Sequence, residues 1–205
     1  MPSGPLTTVV YLHGFLSSPA SAKVQAFAEK AREFGMSCRA PNLNVTSPEA
    51  LEEVLEAAVS DLDDSEWVLA GSSLGGFYAA HLARRHPVRA VLLNPAVTPW
   101  RIGEKYLGGP VTARDGTEIT VTTEWLHYLK SLAPLAPMAP EKTLLLVTTG
   151  DEVLNPRETP AAFPASPCWV VPGSDHAVSD VARYIDALFS FLVRGEVPAG
   201  CSGGR

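Results

Sequence analysis

A glycine-rich turn around Ser73 carries the residue types that a serine nucleophile needs. The stretch Gly71-Ser72-Ser73-Leu74-Gly75 matches the pattern G-x-S-x-G, whose central serine lies on a sharp turn between a strand and a helix. Flanking glycines relieve crowding in such a turn, and amides at the helix start point toward developing negative charge. An apolar run precedes the turn at 67–70 and helix-forming residues follow it. This context predicts Ser73, and not Ser72, as the nucleophile; a phosphate-binding loop is disfavoured because no lysine follows the glycines.

A serine hydroxyl needs a base, and His176 has the position that fits one. Where G-x-S-x-G supplies the nucleophile, the base comes last in chain order, after the acid. Of the five histidines, His81 and His86 fall on the helix after Ser73, and His127 precedes the last predicted strands. His176 follows the predicted strand at 169–171, so we expect it to accept the serine proton.

The acid of this arrangement is predicted at Asp151. It directly follows the string LLLVTTG, which contains the predicted strand at 144–148, so its carboxylate is expected at the C-terminal edge of a sheet, beside the loop of His176. There it would hold the imidazole tautomer and stabilise the imidazolium. Glu152 and Asp175 are the alternatives, but Asp175 abuts His176, and an adjacent residue seldom aims its carboxylate back at the same ring.

Two backbone amides are expected to form an oxyanion hole. Phe15 belongs to the segment His13-Gly14-Phe15 after the first predicted strand, and Leu74 follows the nucleophile. Amides at these two positions stabilise the negative oxygen of the tetrahedral intermediate in proteins with this motif. His13 itself is expected to shape the loop by hydrogen bonding.

The elements that must position these residues alternate between strands and helices. Strands are predicted at 9–12, 38–40, 67–70, 88–93, 144–148 and 169–171, and helices at 22–34, 47–62, 77–85 and 178–193. Repeated β-α units predict a parallel sheet covered by helices.

The alternation breaks between 97 and 140. Gly108-Gly109-Pro110 and Asp115-Gly116 indicate turns there, and 117–125 is typical of a hairpin arm. We therefore predict a single domain at 1–194 with a cap-like insertion at 97–140. The glycine-rich stretch 195–205 is predicted to be a flexible tail.

Composition disfavours several function classes. The net charge is −6 and the sixteen lysines and arginines are scattered, so nucleic acid is not expected as a partner. No apolar stretch approaches the roughly 20 residues that span a bilayer, and the N-terminus lacks a secretory signal; we expect no membrane partner and a cytoplasmic location. The three cysteines are widely spaced without a C-x-x-C pair, so no metal site is expected, and serine chemistry needs no cofactor.

Longer strings in the sequence resemble one known family. YLHGFLSSPASAK, GSSLGGFYA, LNPAV, TGDEVL and a late DHA triplet occur in the order and spacing of the YqiA-like esterases of the α/β-hydrolase superfamily, over 9–193. The resemblance implies a three-layer α/β-hydrolase fold, with a mostly parallel central sheet, helices on both faces and a small insertion after the strand equivalent to the sixth of that fold. It also implies a triad of Ser73, Asp151 and His176. Asn155, where an acidic residue is expected, and Asp175, where an amide is common, depart from the family pattern outside the triad.

The predicted reaction is acyl transfer to water from a small-molecule ester or thioester through an acyl-enzyme. Six apolar or aromatic residues are candidates for an acyl pocket under the insertion, with ordinary packing as the open alternative for each: Phe15, Leu16, Trp100, Tyr106, Trp125 and Tyr128. A small cap favours short acyl chains. A thioesterase or peptidase with the same triad stays open, as do a non-catalytic binding protein, the role of the insertion as lid or interface, and the oligomeric state.

Overall fold

Strands and helices alternate along the chain. In the computed structural model, which describes residues 6–133 and 135–203, the strands are β1 Thr8–Leu12, β2 Ser37–Arg39, β3 Trp67–Ser72, β4 Ala90–Leu93, β5 Pro110–Thr112, β6 Glu118–Thr120, β7 Thr143–Thr148 and β8 Cys168–Val171. The helices are α1 Ala22–Glu33, α2 Pro48–Ala57, α3 Leu74–Ala83, α4 Pro99–Gly103, α5 Thr123–Ser131, α6 Glu158–Ala162 and α7 Ile185–Arg194. Residues 1–5, where the sequence predicts no secretory signal, Pro134 of the insertion and 204–205 of the predicted tail lie outside the described residues.

The central sheet has six parallel strands in the order β2-β1-β3-β4-β7-β8. Its two faces are apolar because every second residue of a buried strand points to the same side. Val9 and Tyr11 of β1 pack with α1 and α7 on one face, whereas Val10 and Leu12 pack with α2 and α3 on the other. The prediction of a parallel sheet between two helical layers is confirmed.

The order in which strands are added to the sheet changes direction at β1, with β2 on one side of it and β3 on the other. Val9 pairs with Cys38 of β2 on one side and with Val68 of β3 on the other. The loops after β1 and β3 therefore diverge to opposite faces, and in parallel sheets ligands bind in the crevice at the carboxyl ends of such strands. The fold places the segment after β1 and the G-x-S-x-G turn at this point.

The helix boundaries differ from the sequence expectations at three places. The helix predicted to extend to 62 ends at Ala57, and that predicted at 178–193 is divided into a short 3-10 turn at Val181–Arg183 and α7. Helix α3 begins at Leu74, directly after Ser73, and not at 77. Two glycines there lower the helix propensity, but their lack of side chains is what lets the helix start against the sheet.

The insertion forms α4, an antiparallel hairpin and α5. Val111 of β5 pairs with Ile119 of β6, and Gly116 supplies a positive φ of 87° at the turn. Trp125 and Leu129 of α5 are buried in the same apolar cluster as α2 and α3. The insertion thus shares the core of the domain.

The segment after α7 returns to the edge of the sheet. Gly195, with a φ of 76°, ends α7, and Ser202 then pairs with Cys168 of β8 through backbone hydrogen bonds of 2.7 and 2.9 Å. The sequence predicted a flexible tail here, whereas the structure pairs it with an edge strand. The outer amides and carbonyls of an edge strand lack partners within the sheet and can form hydrogen bonds with another backbone segment. Its glycine-rich composition contains no signal for this pairing.

Candidate active site

Ser73 lies on the turn that joins β3 to α3. Its backbone has φ 54° and ψ −121°, a conformation that residues other than glycine rarely adopt. Two hydrogen bonds of 3.0 Å hold it there: the Ser73 amide donates to the Leu93 carbonyl, and the Ala96 amide donates to the Ser73 carbonyl. The strained turn is therefore tied to the end of β4.

The glycines of the motif permit a close contact between α3 and β1. A Cβ on Gly75 would lie 2.0 Å from the carbonyl oxygen of Leu12, and a Cβ on Gly71 would lie 2.4 Å from the carbonyl oxygen of Gly75. Both distances are shorter than any side-chain carbon tolerates, so both positions need glycine. Ser73 is thereby placed at the sheet edge beside the loop that follows β1.

The structure brings Ser73, His176 and Asp151 into one hydrogen-bonded line. The Ser73 hydroxyl lies 2.9 Å from Nε2 of His176. On the other side of the ring, Nδ1 lies 3.0 and 2.9 Å from the two carboxylate oxygens of Asp151. With the proton on Nδ1 donated to Asp151, Nε2 is free to accept the proton of the serine. The three residues come from the loops after β3, β7 and β8, which the parallel sheet aligns at one edge.

Asp151 is held as a buried carboxylate. Its side chain is 2% exposed, and the amides of Val153 and Leu154 each donate to Oδ1 at 2.8 Å. Burial raises the pKa of Asp151, but the hydrogen bonds from His176 and from the two amides outweigh it and hold the pKa below its usual value. The Asp151 carboxyl therefore keeps its negative charge at neutral pH.

Asn94 positions the loop that carries His176. Its side-chain amide donates to the carbonyl oxygens of Asp175 and His176, both at 3.2 Å, and its Oδ1 accepts from the Thr148 amide at 2.9 Å. Asn94 is buried and has a positive φ of 41°. The sequence reasoning missed this role, although an Asn-Pro pair directly after a strand, at the edge that carries the site, was a signal for it.

The two alternative carboxylates face other groups. Glu152 accepts the backbone amide of His176 at 2.9 Å and not the ring. Asp175 accepts from the amide and the hydroxyl of Ser179, at 2.8 and 2.6 Å. Of the three acids weighed from the sequence, Asp151 is the one whose carboxylate meets the imidazole.

Three other histidines lie away from Ser73: His81 is on α3, His86 follows α3, and His127 is on α5. Nε2 of His81 lies 3.3 Å from Glu52, and Nδ1 of His86 lies 2.7 Å from Asp64. His127 is exposed on α5. The structure thus brings His176, and none of these three, to Ser73.

The predicted oxyanion donors belong to the segments next to Ser73. Leu74 is the first residue of α3, so its amide has no acceptor within the helix. A Cβ on Gly14 would lie 3.3 Å from Cβ of Ser73, so the loop that carries Phe15 lies against Ser73. His13 fixes this loop: its Nδ1 lies 2.9 Å from the Gly14 carbonyl, and its Nε2 lies 3.0 Å from an amide of the chain after β2.

A family model matches residues 8–193, which include the whole parallel sheet and the three residues of the hydrogen-bonded line. The chain belongs to the uncharacterised protein family UPF0227. This confirms the predicted resemblance to the YqiA-like family.

Solved structures show that this UPF0227 chain has the α/β-hydrolase fold. It is similar to Est1E from Butyrivibrio proteoclasticus (TM-score 0.67, 17% identity, 93% of this chain and 88% of that chain). It is similar to mouse alpha/beta hydrolase domain-containing protein 10, with a TM-score of 0.67, 18% identity and coverage of 92% of this chain and 90% of that chain. It is also similar to the Paleococcus ferrophilus monoacylglycerol lipase, with a TM-score of 0.63, 14% identity and coverage of 94% of this chain and 97% of that chain. At these identities the likeness establishes the fold, as the sequence predicted.

An apolar pocket of about 30 Å³ opens beside Ser73 in the UPF0227 chain. Phe15 and Trp125, both predicted to line an acyl pocket, lie on its wall with ring centroids 6.0 Å apart. The rest of the lining includes Leu74, Ala96 and Ile102. The last two were not predicted, since nothing in their spacing distinguishes them from other loop and helix residues.

Four other residues predicted for this pocket lie elsewhere: Leu16, Trp100, Tyr106 and Tyr128. Trp100 packs edge-on against Phe77 of α3, with centroids 6.4 Å apart. Tyr106 packs edge-on against Phe15 at 5.2 Å, and therefore supports the pocket wall from behind.

Leu16 and Tyr128 are held by polar contacts. The Leu16 carbonyl accepts the amide of Arg114 at 3.0 Å, which joins the loop after β1 to the hairpin. The Tyr128 hydroxyl donates to Glu52 on α2, because a phenol that leaves water needs a hydrogen-bond partner. Sequence spacing alone could not foresee that carboxylate.

Across residues 6–133 and 135–203, no three His, Cys, Asp or Glu side chains are grouped so as to hold a metal ion. No described helix has the length and apolar character needed to cross a membrane.

Proposed function

We propose that this protein is a serine esterase that hydrolyses carboxylic esters of short-chain acids through an acyl-enzyme. The observation that carries the proposal is the line from Ser73 Oγ to His176 Nε2 and from Nδ1 to Asp151, with contacts of 2.9 to 3.0 Å. Serine, histidine and a buried carboxylate in this order are the parts of nucleophilic acyl transfer. Among the similar folds, one solved structure is of Est1E with ferulic acid bound and another is of a monoacylglycerol lipase.

The first half-reaction transfers the acyl group to the enzyme. Ser73 Oγ forms a bond to the ester carbonyl carbon while its proton passes to Nε2 of His176, and the carbonyl oxygen becomes an oxyanion. The amides of Phe15 and Leu74 donate to that oxygen, a contribution of about 2.7 to 4 kcal/mol for one such donor. The carbon–oxygen bond to the alcohol then breaks, and the proton on His176 passes to the departing oxygen.

The second half-reaction restores the enzyme. A water molecule gives a proton to Nε2 of His176 and bonds to the acyl carbon. The new oxyanion occupies the same two amides. The bond to Ser73 breaks, the proton returns to Oγ, and the carboxylic acid leaves. Throughout, Asp151 keeps its charge and stabilises the imidazolium.

The apolar pocket supports a short acyl chain. Its volume of about 30 Å³ is two to three times the roughly 10–15 Å³ that one water molecule requires in the same measure. Phe15, Ile102 and Trp125 limit its depth, so an acyl group of a few carbons fits and a long one does not.

The test combines active-site labelling with an ester series. A fluorophosphonate probe, followed by peptide mapping, is expected to mark Ser73. The label is expected to persist in Ser72→Ala, since Ser72 is the buried neighbour on the same turn, and to disappear in Ser73→Ala. Absence of label on Ser73 in folded protein would overturn the mechanism.

Hydrolysis of p-nitrophenyl acetate, butyrate, octanoate and palmitate tests the acyl preference, which is expected to peak at the short chains. Matched thioester and peptide substrates are run beside them. Faster turnover of either would assign the same triad to a thioesterase or a peptidase. His176→Ala is expected to abolish turnover, whereas His127→Ala, an exposed histidine on α5, retains it.

A further inference from the structure

A second cavity, a groove of about 430 Å³, also borders Ser73 and shares Phe15 with the apolar pocket. His176 and Ser73 line this groove, and Gly14 and Phe15 of the loop after β1 form part of its wall. The groove is more than ten times as large as the apolar pocket, at about 430 against about 30 Å³. The mechanism proposed above leaves its occupant unassigned.

The position of His176 decides which part of the substrate enters the groove. In the first half-reaction His176 gives its proton to the departing alcohol oxygen, so that oxygen lies on the His176 side of the carbonyl carbon. His176 lines the groove, whereas the apolar pocket is walled by Phe15, Leu74 and Trp125. Given the proposed esterase reaction, the acyl chain takes the apolar pocket and the alcohol takes the groove.

Two cationic side chains line the groove. Lys23, the second residue of α1, is half-buried and its Nζ donates to the Ala177 carbonyl at 2.5 Å. Arg114 is exposed on the hairpin turn, where its backbone amide is fixed to the Leu16 carbonyl. Burial lowers the pKa of Lys23 to about 8, the Asp175 and Asp151 charges oppose that shift, and the Arg114 charge adds to it. Within the described chain, neither cation forms an ion pair with a carboxylate.

The acidic side chains nearby are already engaged by neutral donors. Asp175 accepts from Ser179, and Asp115 accepts from Asn42, Asn44 and the Thr117 amide. Asp151 is committed to His176. Asp175 and Asp151 stay charged and act on Lys23 through space, but within the described residues no carboxylate forms an ion pair with Lys23 or Arg114, so both cations can still contact an anion directly.

The first turn of α1 adds positive potential to the same wall. It contains no acidic residue, and Ser21 at its N-cap makes no side-chain hydrogen bond to it. Ser21 and Ala22 line the groove together with Lys23. Free amides at a helix N-terminus favour negative charge, so their contribution has the same sign as that of the two side chains.

We propose that the alcohol part of the natural ester carries an anionic group, a carboxylate or a phosphate, that Lys23 and Arg114 bind in the groove beside His176. The substrate class is thus an ester of a short apolar acid with a negatively charged alcohol. Charge at one end and an apolar chain at the other orient the ester with its carbonyl over Ser73.

The experiment compares two esters that differ in one charge, 4-carboxyphenyl butyrate and its uncharged amide analogue 4-carbamoylphenyl butyrate. The wild-type protein is expected to show the lower KM for the carboxylate. In Arg114→Gln the KM of the uncharged ester divided by that of the carboxylate ester is expected to fall about threefold to fivefold, the effect of one exposed ion pair. In Arg114→Glu the uncharged ester is expected to have the lower KM. Arg32→Gln removes the same charge from the far end of α1 and is expected to keep the wild-type ratio.

Two further arms sharpen the result. Raising the salt concentration from 0.01 to 0.5 M is expected to reduce the preference, because salt screens exposed charges. A third ester, 4-(phosphonooxy)phenyl butyrate, separates the two anions, and whichever has the lower KM identifies the group.

Equal KM values for the charged and uncharged esters, unchanged in Arg114→Gln, would overturn this inference and leave the esterase proposal intact. If neither ester is hydrolysed, the esterase proposal itself fails.

Discussion

Exchanging Asp151 for asparagine changes one atom of the carboxylate that faces the His176 ring. The Asn side-chain oxygen can still accept from the amides of Val153 and Leu154, which both meet Oδ1 in the wild-type protein. The new NH2 group then occupies the position of Oδ2, 2.9 Å from Nδ1 of the ring. Two donors cannot face each other, and the oxygen at the Oδ1 position, 3.0 Å from Nδ1, already accepts two amides. The substitution therefore favours Nδ1 as an acceptor, with the ring proton on Nε2.

The tautomer change removes the base. With a proton on Nε2, the ring donates toward Ser73, 2.9 Å away, and cannot accept the serine proton. The loss of the correct tautomer in a triad lowers kcat by about 10⁴, which corresponds to about 5.4 kcal/mol of activation free energy. We expect kcat/KM for p-nitrophenyl butyrate to fall by this factor in Asp151→Asn, with a circular dichroism spectrum like that of the wild-type protein.

The neighbouring acids supply matched controls. Glu152→Gln retains an oxygen that accepts the His176 amide, and Asp175→Asn retains one that accepts from Ser179, so both are expected to keep kcat/KM within about tenfold of the wild-type value. The assignment of Asp151 would be refuted if either control lost as much activity as Asp151→Asn. It would also be refuted if Asp151→Asn kept more than a tenth of the wild-type rate.

Three other substitutions test the frame around the site. Gly75→Ala forces a Cβ to within 2.0 Å of the Leu12 carbonyl oxygen, and we expect a melting temperature lower by at least about 5 °C; an unchanged melt would contradict the close contact of α3 with β1. Asn94→Asp keeps the acceptor but replaces the donor that holds two carbonyls of the base loop, so kcat/KM should fall at least tenfold without loss of fold, and full activity would exclude the positioning role. Ile102→Ala enlarges the apolar pocket, and the octanoate-to-butyrate ratio of kcat/KM should rise about tenfold; an unaltered ratio would place the acyl chain elsewhere.

The three residues of the hydrogen-bonded line could be expected together from the sequence because each lies in the loop that follows a strand. Ser73, Asp151 and His176 come after β3, β7 and β8, and strands of a parallel sheet end at one edge. Short apolar runs identify such strands without knowledge of their order. Three positions far apart in sequence could thus be expected at one place.

The supporting residues were not predictable in the same way. The role of Asn94 depends on how closely the chain after β4 approaches the loop that carries His176. The position of Trp100 depends on how α4 packs against α3. Both follow from packing between segments, which periodicity along one segment does not encode. The same holds for Arg114, which reaches the groove because its hairpin turn docks on the loop after β1.

The left-handed backbone of Ser73 sets catalytic power against thermodynamic stability at a single residue. A conformation of this kind costs on the order of 1–3 kcal/mol for a residue with a side chain, and glycine is free of that cost. Because about 1 kcal/mol shifts the melting temperature of a domain of this size by about 2–4 °C, Ser73→Gly should melt about 2–12 °C above Ser73→Ala, although both lack the hydroxyl of residue 73; equal melting temperatures would show that the turn is unstrained. Under the proposed mechanism, this turn lowers the thermal stability of the protein because it holds the Ser73 hydroxyl beside the His176 ring.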